Sequence, residues 1–157
     1  MKDLIFNSET VQDTEKFAYR LASLIKKYDL ILLKGELGSG KTTFARSIIN
    51  SKYFANDINH IVPSPTFNLL QIYKFGNRTI GHADLYRVQN KEEITALDLQ
   101  KIVDEGSLIV EWPEILDSSI SANIININFE IHYNSFNLLV EDWGGWKDRI
   151  RSISFKS

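Results

Sequence analysis

The amino-acid sequence predicts an α/β domain of three layers, with a mixed parallel and antiparallel sheet between helices. Three observations carry that prediction. Leu30-Ile31-Leu32-Leu33 is a short, continuous apolar run of the kind buried on both faces of a parallel sheet. Directly after it, GELGSGKTT places Gly35, Gly38 and Gly40, three of the chain's eight glycines, within six residues, and a helical pattern follows. Further on, two pairs of alternating segments read as antiparallel hairpins.

The elements follow in order. After the polar stretch NSETVQDTEK, Phe17, Leu21, Leu24, Ile25 and Tyr28 recur at helical spacing. This predicts an amphipathic helix with Asp13 or Thr14 near its N-cap and Asp29 at its end. Leu30 to Lys34 is the first strand, and a second helix begins near Lys41 and runs to Ile49. Ser51 to Ile61 reads as an irregular connection, and Pro63-Ser64-Pro65, with two of the three prolines, holds the chain extended. Asn68 to Phe75 and Thr79 to Tyr86 alternate around Gly76-Asn77, a hairpin expected to have one wet face. Lys91 to Val103 carries Ile94, Leu97, Leu99 and Ile102, enough for one or two short helices, before the buried strand Ser107 to Val110. Ala122 to Tyr133 and Phe136 to Trp143 form the second hairpin around Asn134-Ser135, and WGGWKDRIRSISFKS closes the chain without an assignable pattern.

Composition narrows the function. The 157 residues read as a single domain, 1–157, long enough to bury a core without covalent staples. Without cysteine the chain has no disulfide partner, thiolate nucleophile or cysteine-held metal. Eighteen basic and 20 acidic residues are interspersed at a net charge of -2, so no general polyanion surface is indicated and nucleic acid is not expected as a direct ligand. Lys26, Lys27 and Lys34 read as a solvated helix end or, alternatively, as a local basic patch. No apolar run approaches the ~20 residues of a membrane span and the N-terminus lacks the apolar core of an export signal, so the expected setting is cytoplasmic, with no membrane contact.

The glycine segment carries the chemistry. GELGSGKT fits G-x-x-x-x-G-K-[ST] at Gly35, Gly40, Lys41 and Thr42, between a strand and a helix. Phosphate oxygens need several converging backbone N–H donors, and glycines clear the approach that a Cβ would block. The following helix adds its own N-terminal donors. Gly38, Ser39, Gly40, Lys41, Thr42 and Thr43 are therefore candidate nucleotide contacts, Lys41 as a cation for the β- and γ-phosphates and Thr42 as a hydroxyl for Mg²⁺. The bland alternative is a turn that lets a helix leave a sheet.

Such a loop needs a carboxylate for the metal at the end of a neighbouring strand. Leu108-Ile109-Val110-Glu111 supplies one, and Thr79 to Asp84 a more polar version, so Glu111 fits better as the ligand. In HADLYR, alternation puts His82, Asp84 and Tyr86 on one face. Asp84 is placed to orient or deprotonate an attacking water, or else to pair with Arg87 in a turn. His82 reads as a hydrogen-bonded structural histidine. Trp112, in a turn with Pro113, either packs or covers a base or ribose.

Together, GELGSGKTTFAR, SPTF at 64 to 67, HADLYR at 82 to 87, EEITALDL and LIVEWPE resemble the TsaE (YjeE) family of P-loop ATPases, bacterial proteins of threonylcarbamoyladenosine synthesis on tRNA. The resemblance spans roughly residues 8 to 117. It implies a P-loop NTPase-like fold, ATP and Mg²⁺ as cofactors, and other members of the threonylcarbamoyl machinery, of the TsaD and TsaB type, as partners, with tRNA reached only indirectly. It also implies roles: Lys41 and Thr42 on phosphate and metal, Glu111 as second protein ligand of Mg²⁺, Asp84 as the acid for hydrolysis. Thr66 falls in a switch-like loop near the γ-phosphate, Thr10 lies near the adenine, and Trp112 lies beside the nucleotide. Two departures stand out: His82-Ala83 replaces His-Phe, and Tyr133-Asn134-Ser135-Phe136 lacks the arginine often found in that turn. The alternatives are a small P-loop kinase, disfavoured because the six arginines form no lid, and a nucleotide-dependent switch with slow hydrolysis.

Overall fold

The computed structural model describes residues 4–54, 69–117, 119–132, 135–142 and 144–152. Its frame is a seven-stranded sheet in the order β1-β7-β6-β2-β5-β4-β3. The strands are β1 (Leu4–Ser8), β2 (Asp29–Gly35), β3 (Leu70–Phe75), β4 (Arg78–Asp84), β5 (Ser107–Glu111), β6 (Asn123–His132) and β7 (Ser135–Asp142). β6, β2, β5 and β4 are parallel, whereas β3 and β7 run antiparallel to their neighbours and β1 antiparallel to β7.

The helices are α1 (Val11–Ala22), α2 (Lys41–Ile49), α3 (Lys91–Leu97), α4 (Leu99–Glu105) and α5 (Lys147–Arg151). Strand alternation splits the core into two layers. Ile31 and Leu33 of β2 pack with Ile109, Ile125 and Ile127 under Phe17, Leu21, Phe44, Ile48, Trp146 and Ile150. Leu30, Ala83, Leu108 and Val110 face the other way, under Leu99, Ile102 and Val103. Each fully buried Leu, Ile or Phe contributes about 1.5–3 kcal/mol, so the three-layer packing follows from the apolar runs. Among the described residues, no helix is long and apolar enough to cross a membrane.

Several details differ from the sequence reading. The cap of α1 is Thr10, not Asp13 or Thr14: its hydroxyl accepts from the Asp13 N–H at 3.2 Å, and Asp13 Oδ2 accepts from the Thr10 N–H at 3.1 Å, a reciprocal capping box. The helix ends at Ala22, and Ile25 is buried from the irregular connection to β2 instead. The segment before α1 contains an edge strand, β1. The hairpin of β3 and β4 forms as expected, but β4 is buried on both faces from Ile80 to Asp84 because it lies between β3 and β5. Residues 55–68, with Pro63-Ser64-Pro65, SPTF and Thr66, lie outside the described residues, as do 133 and 134 at the second hairpin's turn.

The unassigned tail acquires a structure. Trp146 is fully buried and its Nε1–H donates to the carbonyl of Asn123 at 3.0 Å. Arg149 lies 4.0 Å from the Trp146 ring centroid and forms a bidentate pair with the buried Asp29.

Candidate functional site

The parallel strands deliver their C-terminal ends to one edge of the sheet. Register then decides which residues meet: Glu111 is opposite Leu33 of β2 and opposite Asp84 of β4. The loop after β2, the end of β4 and the end of β5 converge there around a cleft of about 380 Å³.

The loop needs its glycines. Gly35 has φ +143°, and a Cβ on it would lie 2.7 Å from the carbonyl oxygen of Phe129. Gly40, at φ 104°, is the N-cap of α2 and offers no side-chain cap; the first-turn N–H groups of a helix have no partner within it, and here that turn, Lys41 to Thr43, lines the cleft. That terminus suits an anion.

Lys41, first residue of α2, is only 4% exposed. Its Nζ donates to the carbonyls of Gly35 at 2.6 Å and Glu36 at 2.8 Å and to Ser39 Oγ at 3.3 Å. It also sits 4.3 Å from the centre of the Trp112 ring. Burial holds this ammonium below the ordinary lysine range, opposed by the negative charge of Glu111, Asp84 and Glu114.

Thr42 Oγ1 donates to Glu111 Oε1 at 2.7 Å, joining residues 69 apart in sequence. The other carboxylate oxygen, Oε2, is 2.6 Å from His82 Nε2. His82 and Glu111 are 0% and 2% exposed. Asp84, also buried, accepts at Oδ1 from the Tyr86 N–H at 3.0 Å. Trp112 holds a left-handed backbone, φ 57°, its N–H donates to the Leu33 carbonyl at 3.2 Å, and its ring meets that of Tyr86 at 4.8 Å.

Gly38, Ser39, Gly40, Lys41, Thr42, Thr43, Asp84, Glu111 and Trp112 thus all line one cleft, as their motifs require. Thr10 does not line it: it caps α1 just beyond the C-terminal end of β1, on the same sheet edge but across β7 and β6 from β2. Tyr86, Arg87 and Leu37 line the cleft too and were not singled out as contacts, although Tyr86 shares the alternation face of His82 and Asp84.

Among the described residues no group of three or more His, Cys, Asp or Glu side chains could hold a metal. The touching hydroxyl and carboxylate of Thr42 and Glu111 nevertheless suit Mg²⁺, which takes few protein oxygens and completes its shell with water and phosphate. An ammonium, a helix N-terminus, a hydroxyl and two carboxylates in one cleft form a set fitted to a phosphorylated ligand carrying a divalent cation.

Fold and site together define a P-loop NTPase-like protein. A family model described as "Threonylcarbamoyl adenosine biosynthesis protein TsaE" matches residues 8–137, and the chain belongs to the TsaE family. The tRNA threonylcarbamoyladenosine biosynthesis protein TsaE of Rickettsia felis is 43% identical over 128 residues, covering 82% of this chain and 72% of the relative. The protein of the same name from Aquifex aeolicus is 38% identical over 114 residues, 73% of this chain and 78% of the relative. Among solved structures, YdiB of Bacillus subtilis aligns with a TM-score of 0.75 at 21% identity, covering 96% of this chain and 93% of that one, a likeness of fold.

Proposed function

We propose that this chain binds ATP with Mg²⁺ and hydrolyses it in support of the threonylcarbamoyl transfer that makes N6-threonylcarbamoyladenosine at position 37 of tRNA. The observation that carries the reading is the 2.7 Å contact between Thr42 and Glu111 beside a lysine at the head of α2. Thr42 and Glu111 hold the metal, and Mg²⁺ there supplies charge neutralisation to the phosphate oxygens. Lys41 exchanges its carbonyl acceptors for the β- and γ-phosphates, and the N-terminus of α2 receives the phosphate chain. Asp84, fixed by the Tyr86 N–H, orients the water that attacks.

The setting is the cytoplasm, and the partners are proteins of the TsaD and TsaB type, so that tRNA meets this chain only through them. Support comes from membership of the TsaE family and from the names of its relatives. The test compares ATP turnover by the chain alone and with those partners, in wild type and in Thr42→Ala and Glu111→Ala. Stimulated turnover that is lost in both variants is expected. Turnover indifferent to both substitutions, or transfer of phosphate to a small acceptor, would overturn the proposal.

A further inference from the structure

We infer that His82 is a positioning residue for the Glu111 carboxylate: it holds Oε2 so that Oε1 stays presented to Thr42 and the metal. The inference rests on the ATPase reading above and deepens it.

A carboxylate only 2% exposed needs a donor at each oxygen, because a buried oxygen without one loses its hydration with no return. Glu111 has two, from opposite sides: Thr42 Oγ1 at Oε1 and His82 Nε2 at Oε2. The two ties are not equivalent. A metal held by Thr42 and Glu111 would compete with the bond between them, whereas the His82 contact is made by the other carboxylate oxygen.

The ring is also fixed where it stands. β4 is hydrogen-bonded between β3 and β5, with His82 opposite Gln71 on one side and Ile109 on the other. Its polar contact is directed solely at Glu111: Nδ1 is buried and has no hydrogen-bond partner among the described residues. With the carboxylate accepting, the tautomer that completes this contact is the one with its proton on Nε2. Outer partners of this kind tune a ligand's orientation.

The test uses His82→Gln, whose amide nitrogen reaches the position of Nε2, and His82→Asn, whose amide stops short of it. Binding of a nonhydrolysable ATP analogue is titrated against Mg²⁺ and repeated with the metal chelated. The Mg²⁺ needed for half-maximal binding should rise by roughly tenfold or more in His82→Asn, stay near wild type in His82→Gln, and leave metal-free binding unchanged in both. In the metal-free protein, a protected imidazole N–H proton should be visible by NMR and vanish in Glu111→Ala. A folded His82→Asn protein with the wild-type Mg²⁺ requirement, while Glu111→Ala is shifted, would overturn this inference alone. Equal losses with and without metal would also overturn it, by making His82 merely structural. If Thr42→Ala and Glu111→Ala are themselves unshifted, the ATPase reading falls, and the inference falls with it.

Discussion

Arg149 grips Asp29 with both prongs of its guanidinium, Nη1 to Oδ2 at 2.7 Å and Nη2 to Oδ1 at 2.8 Å, across 120 residues of sequence. Nη1 also donates to the Leu24 carbonyl at 2.7 Å. The pair sits where β2 begins, at the end of the sheet opposite the glycine loop. Arg149→Ala leaves a fully buried carboxylate without its countercharge, which costs about 3–5 kcal/mol. Urea unfolding should report that loss, while nucleotide affinity of the folded protein stays at its wild-type value.

Lys41→Ala removes the one ammonium at the head of α2. Charge-assisted hydrogen bonds are worth about 1.5–3 kcal/mol each, so ATP-analogue affinity should fall by roughly a hundredfold. Calorimetry checks it, and unchanged affinity would take Lys41 out of the site.

Asp84→Asn keeps an oxygen for the Tyr86 N–H but loses the base. Turnover should fall by about a hundredfold or more with analogue affinity little changed. Normal hydrolysis in this variant would reduce Asp84 to a turn residue.

The depressed pKa of Lys41 gives binding a pH dependence. Burial disfavours its charge, and the phosphate oxygens of the proposed nucleotide would restore it. Affinity is thus full below the free protein's pKa and falls as pH rises through it towards the bound value, by up to about tenfold per unit. For folding the sign is opposite: the charged lysine opposes the native state at low pH, and that opposition fades as pH climbs towards the unfolded pKa. Analogue binding measured from neutral to alkaline pH in wild type should show the decline, and Lys41→Ala should abolish it.

Gly35→Ala forces a methyl to 2.7 Å from the Phe129 carbonyl at φ +143°. Backbone strain of this kind costs about 1–3 kcal/mol. Loss of thermal stability should come with weakened analogue binding, because the loop can relieve the contact only by moving.

The loop was legible because its residues answer a local demand: bare backbone between a strand and a helix has few other uses. Glu111 was legible because parallel strands end together, so an acid closing a buried strand has a foreseeable position. His82 reads as a hydrogen-bonded histidine and is one, but its partner was not legible, since it reaches Glu111 diagonally from β4 to β5, a matter of register rather than spacing. β1 escaped notice because five residues of Leu-Ile-Phe-Asn-Ser are too short for a periodic signal, and their pairing partner lies over 120 residues away. Leu24, Ile25 and Tyr28 continued a helical rhythm past the true end of α1, since an irregular connection can bury Ile25 as well as a helix can. The tail gave no pattern because Trp146 and Arg149 are satisfied by Asn123 and Asp29, distant in sequence.

Lys41 is a tridentate donor, clasping two carbonyls and a hydroxyl of its own loop. Entry of the proposed nucleotide would then be an exchange reaction, with selectivity set by denticity. A lone carboxylate would offer fewer oxygens than the three acceptors it must replace, whereas the polyphosphate of the proposed nucleotide would offer enough.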